Sequence, residues 1–108
     1  MDSKTLAKYE LRAKIIKALA HPARLAMMDE LVTHGERCVC ELTELVGSDM
    51  STVSRHLGQM RAAGLVEDEK RGRMIYYRPR IKCLATFFGC IESVIRSHVD
   101  DQQDLLTL

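Results

Sequence analysis

The sequence predicts a mainly α domain that carries one small β-hairpin. Three observations predict this. Apolar residues recur at spacings of three and four through most of the 108 residues. After Gly64 the pattern changes to two short β-type runs flanking a polar turn. Only Pro22 and Pro79 occur, with no Gly/Ser linker and no internal repeat, so residues 1–108 read as a single domain. A domain this small buries only about two-thirds of its unfolded surface, and a shared apolar interface would add to its core.

Each element follows from local pattern. Leu6–Leu19 reads as a helix with Leu11, Ile15, Ile16 and Leu19 on one stripe. Pro22 suits the first turn of a second helix, where its missing N–H would be unpaired anyway, and Gly35 ends that helix. A short helix follows over Val39–Val46, with Cys38 at its start and Gly47 as its stop. The short polar side chains of 48–51 then cap a helix over Ser51–Ala63, whose inward face is Val53, Leu57 and Met60. Leu65-Val66 and Met74–Tyr77 form a hairpin around the polar run 67–73, and Pro79 closes it. From Ile81 a long helix sets Leu84, Phe87, Phe88, Ile91, Val94 and Ile95 on one apolar face. Helix, turn, helix and two-stranded ribbon, in that order, make a winged helix-turn-helix. The last helix still needs a partner for its stripe, and the first helix and a second subunit are the candidates.

Composition excludes several classes. With 46% hydrophobic and 29% charged residues the chain is neither disordered nor of low complexity. No apolar run approaches the roughly 20 residues of a membrane span, and the first ten residues have no signal-peptide core, so the expected location is the cytoplasm. Net charge is +1, but it is unevenly spread: +3 over residues 1–20, −4 over 21–50, +4 over 51–80 and −2 over 81–108. A basic face can therefore exist on a nearly neutral molecule. There is no Gly-rich phosphate loop, paired-carboxylate motif or thioredoxin-like pattern, so no enzyme is expected.

The expected partner is double-stranded operator DNA. The second helix of such a motif lies in the major groove with its N-terminal side chains at base edges. Here that surface would present Ser51, Thr52, Ser54, Arg55, His56 and Gln59, and no carboxylate interrupts Ser51–Gly64. Arg71 and Arg73 flank Gly72 at the hairpin tip, where they suit phosphates or a neighbouring minor groove. His21 reads as helix-start chemistry, and His34 and His98 as surface.

Taken in order, Leu19-Ala20-His21-Pro22-Ala23-Arg24-Leu25, Cys38-Val39-Cys40-Glu41-Leu42, Ser51-Thr52-Val53-Ser54-Arg55-His56-Leu57, Ala63-Gly64-Leu65-Val66 and Arg71-Gly72-Arg73-Met74-Ile75-Tyr76-Tyr77 resemble the ArsR/SmtB family of bacterial winged-helix repressors. The resemblance covers about residues 11–95. It implies a homodimer built on the first and last helices, and an apo form that binds DNA and is released by an inducer.

Cys38 and Cys40 are the sharpest chemical signal. A helix N-terminus favours the thiolate, and Arg37 adds to that. Within a regular helix residues two apart diverge by about 200°, but at a pre-helical start they can converge on one ion. Soft thiolates select soft ions, with As(III) and Sb(III) favoured and Cd(II), Cu(I) or Zn(II) open, and no organic cofactor is expected. In the arsenic-sensing branch a third Cys commonly follows; here that place is Thr43, and no Cys precedes Cys38. Cys83 and Cys90 are the remaining candidate ligands, about 10.5 Å apart along one helix, so each could act only with a group from elsewhere. The family's zinc-type site is absent, since Ile81, Cys83, Val94 and Ser97 stand at its positions, and its redox pair would fall on Asp29 and Arg96. An alternative is that the same cysteines sense oxidants or sulfur species.

Overall fold

A computed structural model describes residues 1–99; the remainder of the expected single domain, 100–108, lies outside the described residues. Five helices and three strands follow in the order α1 (Ser3–Leu19), α2 (Pro22–His34), β1 (Arg37–Cys38), α3 (Val39–Val46), α4 (Met50–Ala62), β2 (Val66–Arg71), β3 (Met74–Pro79) and α5 (Leu84–His98). This is the expected winged helix-turn-helix, with α3 and α4 as the two-helix unit and β2–β3 as the wing.

The capping chemistry fixes the helix starts. Asp2 accepts the Thr5 N–H at 2.7 Å, so α1 begins three residues before the sequence-based start. The imidazole Nδ1 of His21 accepts the Ala23 N–H at 3.1 Å and caps α2 just before Pro22. Gly47, with φ of +77°, ends α3 in the left-handed region, so α4 can start after a short turn.

Two departures from the sequence reading matter for the site. The first is β1, a two-residue strand that no periodicity could reveal, which pairs Arg37 with Tyr77 and Cys38 with Tyr76 on β3. The sheet order is therefore β1-β3-β2. The second is β2, which continues through the polar residues expected to form the turn. Glu67 sits opposite Arg78 and Glu69 opposite Tyr76, so cross-strand ion pairs replace apolar contact as side-chain support. The turn shrinks to Gly72 and Arg73. Only Gly72 has positive φ (+63°), the sign pattern of a type II′ hairpin turn.

The core lies among α2, α3, α4 and the root of the wing. Met27, Met28, Leu31, Leu42, Val53, Leu57 and Met60 are wholly buried, with Leu65, Val66 and Tyr77 closing it from the sheet. Helix α1 adds only Ala18 and Leu19, and α5 has no buried residue. Helix α5 starts at Leu84, three residues later than its pattern suggested. No described helix is long and apolar enough to cross a membrane.

Candidate nucleic-acid interface and thiol pair

Asp49 organises the N-terminus of α4. Its carboxylate accepts the Thr52 N–H at 3.3 Å and also the hydroxyls of Ser51 and Thr52. The Ser51 and Thr52 hydrogen bonds hold its carboxyl down at about 2. The hydroxyl protons of Ser51 and Thr52 are thus engaged, and their lone pairs remain to accept from base amino groups. Ser51, Ser54, Arg55 and Gln59 are exposed and Thr52 is half-buried, so five of the six expected α4 contacts lie on the open side.

His56 is the correction. The sequence reading set it among the DNA-facing residues, but it is only 8% exposed and points into the protein. Its spacing was the signal: Val53, His56, Leu57 and Met60 form one i, i+3, i+4, i+7 stripe, all buried. Its Nδ1 accepts from Arg24 Nε at 3.0 Å, and its ring lies 4.4 Å from that of His21. Burial pushes its pKa down, reinforced by the nearby His21, Arg24 and Arg55, so the neutral ring suits the site. Arg24 also donates to the Ala18 carbonyl at 3.3 Å and to the Gln59 side-chain oxygen. One guanidinium therefore ties α1, α2 and α4 together, a role the sequence reading missed. Because Gln59 accepts from Arg24, its amide NH2 is left as the free donor.

The two wing arginines differ. Arg71 lies 4.6 Å over the Tyr76 ring and donates a two-pronged pair of 2.7 Å bonds to Glu36, plus a 3.1 Å bond to Glu69. Its guanidinium holds the carboxyls of Glu36 and Glu69 below the usual range. Arg78 extends the network, donating to Glu67 at 2.8 Å and to Glu69 at 3.0 Å. Among the described residues Arg73 and Arg55 make no ion pair, which makes them the unneutralised cations of this face. Glu36, the partner of Arg71, was not singled out from the sequence. It lies two residues before Cys38, so the wing and the thiol segment share an ion pair.

Cys38 is the N-cap of α3 and is buried, with extended backbone (φ −79°, ψ 160°). Its Sγ accepts the Glu41 N–H at 3.4 Å while the Glu41 carboxylate accepts the Cys38 N–H at 3.0 Å, a reciprocal capping box. Cys40 is exposed, and the two sulfurs are bonded to each other across a Cα separation of 5.4 Å. The non-helical backbone of Cys38 supplies the convergence that a regular helix denies. Cys83, at the N-cap of α5 and not within the helix as expected, and Cys90 on α5 are exposed, free thiols. Among the described residues no three His, Cys, Asp or Glu side chains of one chain gather around a common point.

Residues 21–68, spanning α2 to the start of the wing, match the family model of bacterial regulatory proteins, arsR family. The chain is 33% identical over 95 residues to the arsenic resistance transcriptional regulator ArsR1 of Pseudomonas putida, covering 86% of this chain and 70% of that one. It is 41% identical over 75 residues to the arsenical resistance operon repressor of Bacillus subtilis, 69% of each chain. The solution structure of a homodimeric winged helix-turn-helix DNA-binding domain from Mycobacterium bovis, a possible ArsR-family transcriptional regulator, superposes with a TM-score of 0.76. That match has 29% identity and covers 95% of this chain and 94% of that one.

Proposed function

The chain belongs to the arsR family of bacterial regulatory proteins, whose members are transcriptional regulators and not enzymes, and from that premise we propose a metalloid- or metal-released repressor. It works as a homodimer joined through α1 and α5. It holds operator DNA with Ser51, Thr52, Ser54, Arg55 and Gln59 of α4 and with Arg73, and Arg71 where a phosphate displaces Glu36. It lets go when a thiophilic ion, trivalent arsenic or antimony foremost, is held by Cys38 and Cys40.

The observation that carries this reading is the meeting of two sulfurs at the start of α3, in a segment joined to both DNA-reading elements. Helix α3 precedes α4 by three residues, and Cys38 pairs with Tyr76 of the wing. Displacing Cys38 by even a fraction of an ångström disturbs both neighbours. In a dimer that alters the spacing of two α4 helices that must match half-sites about one helical turn apart. The inducer must favour the DNA-free form, by a coupling of about 1–3 kcal/mol for ordinary allosteric effects. The donor set fits a thiophilic ion: two thiolates can approach each other, and carboxylate-rich hard-ion geometry is missing among the described residues. A third ligand would come from solvent, or from Cys83 or Cys90 of either subunit.

The bonded state of the sulfurs supports a second reading, redox release. Two thiols would give one disulfide and lose two electrons and two protons to a peroxide-class oxidant, which becomes water or an alcohol. The test is titration of reduced protein, bound to a duplex selected from random sequence, with arsenite, cadmium or hydrogen peroxide. Release by arsenite or cadmium that vanishes in C38S and C40S supports the first reading. Release by peroxide alone supports the second, and release by arsenite, cadmium and peroxide that is unchanged in the double serine variant would end both.

A further inference from the structure

Beside the exposed Cys40 is a crevice of 120 Å3 formed where α3, α4 and the wing tip meet. Met50, from the first position of α4, and Met74, from the first of β3, both line it. Val39 and Ile75 supply apolar wall, and Ser54 and Arg73 complete the lining. A crevice of this size is ample for an ion together with the side chains that turn toward it. Met50 and Met74 are 54% and 39% exposed, so their three-bond side chains are free to swing.

Thioether sulfur is a soft, neutral donor that hard ions ignore. Two thiolates with one or two thioethers form a donor set that selects monovalent copper-group ions over zinc, magnesium or calcium. We propose that Met50 and Met74 complete the Cys38–Cys40 pair into a four-sulfur site for Cu(I)-class ions, so that the ligands of the sensor lie on both DNA-reading elements. The inference rests on the reading of Cys38 and Cys40 as the sensing pair and names a ligand class and two further ligands for it.

The balance is simple. The reduced site binds one Cu(I), two thiol protons leave to solvent, and two Cu–S thiolate bonds form with no change of oxidation state. The occupied site carries one negative charge. The cation lining the crevice is Arg73, the wing residue assigned above to hold DNA. Occupation therefore draws on a DNA contact, and Ser54 of α4 borders the same space. Ligation by Met50 pulls the start of α4, and ligation by Met74 pulls the wing, so release needs no long path.

The test is anaerobic titration of the reduced full chain with Cu(I) in competition with a chromophoric chelator, with Ag(I) as a redox-inert second probe. Met50→Leu and Met74→Leu keep volume and hydrophobicity, so the fold and the crevice are retained. The double Leu variant is expected to lose about tenfold or more in Cu(I) affinity, equal to about 1.4 kcal/mol. X-ray absorption should count three or four sulfurs in wild type and two in the variant. Arsenite-induced release from DNA should be the same in both proteins. Unchanged Cu(I) affinity in the double Leu variant, or two sulfurs in wild type, overturns the thioether site while arsenite release still upholds the cysteine pair. If neither arsenite nor Cu(I) acts on wild type, the reading of the cysteine pair as an ion sensor falls, and the thioether site with it.

Discussion

Helices α4 and α5 both carry apolar stripes at helical spacing, and the molecule uses them in opposite ways. On α4, Val53, Leu57 and Met60 are completely buried within the chain. On α5 the stripe stays open: Phe87 is 41% exposed and Val94 66%, with only Leu84 and Phe88 packed against the core. Helix α1 resembles α5, with Leu11 and Ile16 open to solvent. A stripe in sequence announces that a face will be buried, but it does not say which chain buries it. The α2–α4 unit closes its own core, while the outer helices present an apolar surface that fits a second copy.

That contrast can be broken by mutation. Leu57→Ala removes a fully buried side chain and is expected to cost about 2–5 kcal/mol in urea denaturation. Ile91→Ala at the same protein concentration should act mainly through the monomer–dimer equilibrium; an equal, concentration-independent loss would show that α5 belongs to the core of one chain. Phe87→Asp with Ile91→Asp should convert the proposed dimer to monomers in sedimentation velocity while leaving far-ultraviolet circular dichroism unchanged. Monomers should then lose most operator affinity, since one half-site remains per particle. Retained dimerisation would sink the assignment of α5 to the interface.

Smaller effects sharpen the comparison between the half-buried Arg24 and the exposed arginines. Arg24→Met leaves the His56 Nδ1 and the Ala18 carbonyl without their donor, an expected loss of about 1–3 kcal/mol. Arg71→Met removes solvent-exposed ion pairs and an exposed stacking contact on Tyr76, and should barely move the denaturation midpoint. Because His56 titrates lower in the fold than its unfolded value of 6.5, its contribution is present above pH 6.5 and is lost as pH falls through the folded value. Stability should therefore decline on acidification below pH 6.5, and His56→Gln should flatten that part of the profile. The smallest effect belongs to Asp49: its capping contribution is intact above pH 3.8 and lost as pH drops toward 2. Asp49→Asn should reduce the acid limb in that range.

Much of the site was legible. Helical spacing, capping residues and glycine stops marked α2, α3 and α4, and these local signals agree with the packing around Leu31, Leu42 and Leu57. The exposed Ser54, Arg55 and Gln59 followed from the same periodicity. His56 was also legible in principle, since it shares the stripe of Val53 and Met60; its polar side chain masked a buried position because its partner, Arg24, lies 32 residues away. Strand β1 was not legible, because two residues carry no period, and they become a strand only when β3 arrives beside them.

The sequence by itself determined the order of the helices and the wing, the buried stripe of α4 and the presence of two thiols at one helix start, since these depend on interactions within a few residues. Tertiary structure alone decided that Glu36 holds Arg71, that Arg24 holds His56, and that Met50 and Met74 share a crevice with Cys40. The physical reason is range. Capping and periodicity act over one or two turns, whereas a hydrogen-bond partner or a ligand shell is chosen by whichever distant segment the packed core brings alongside.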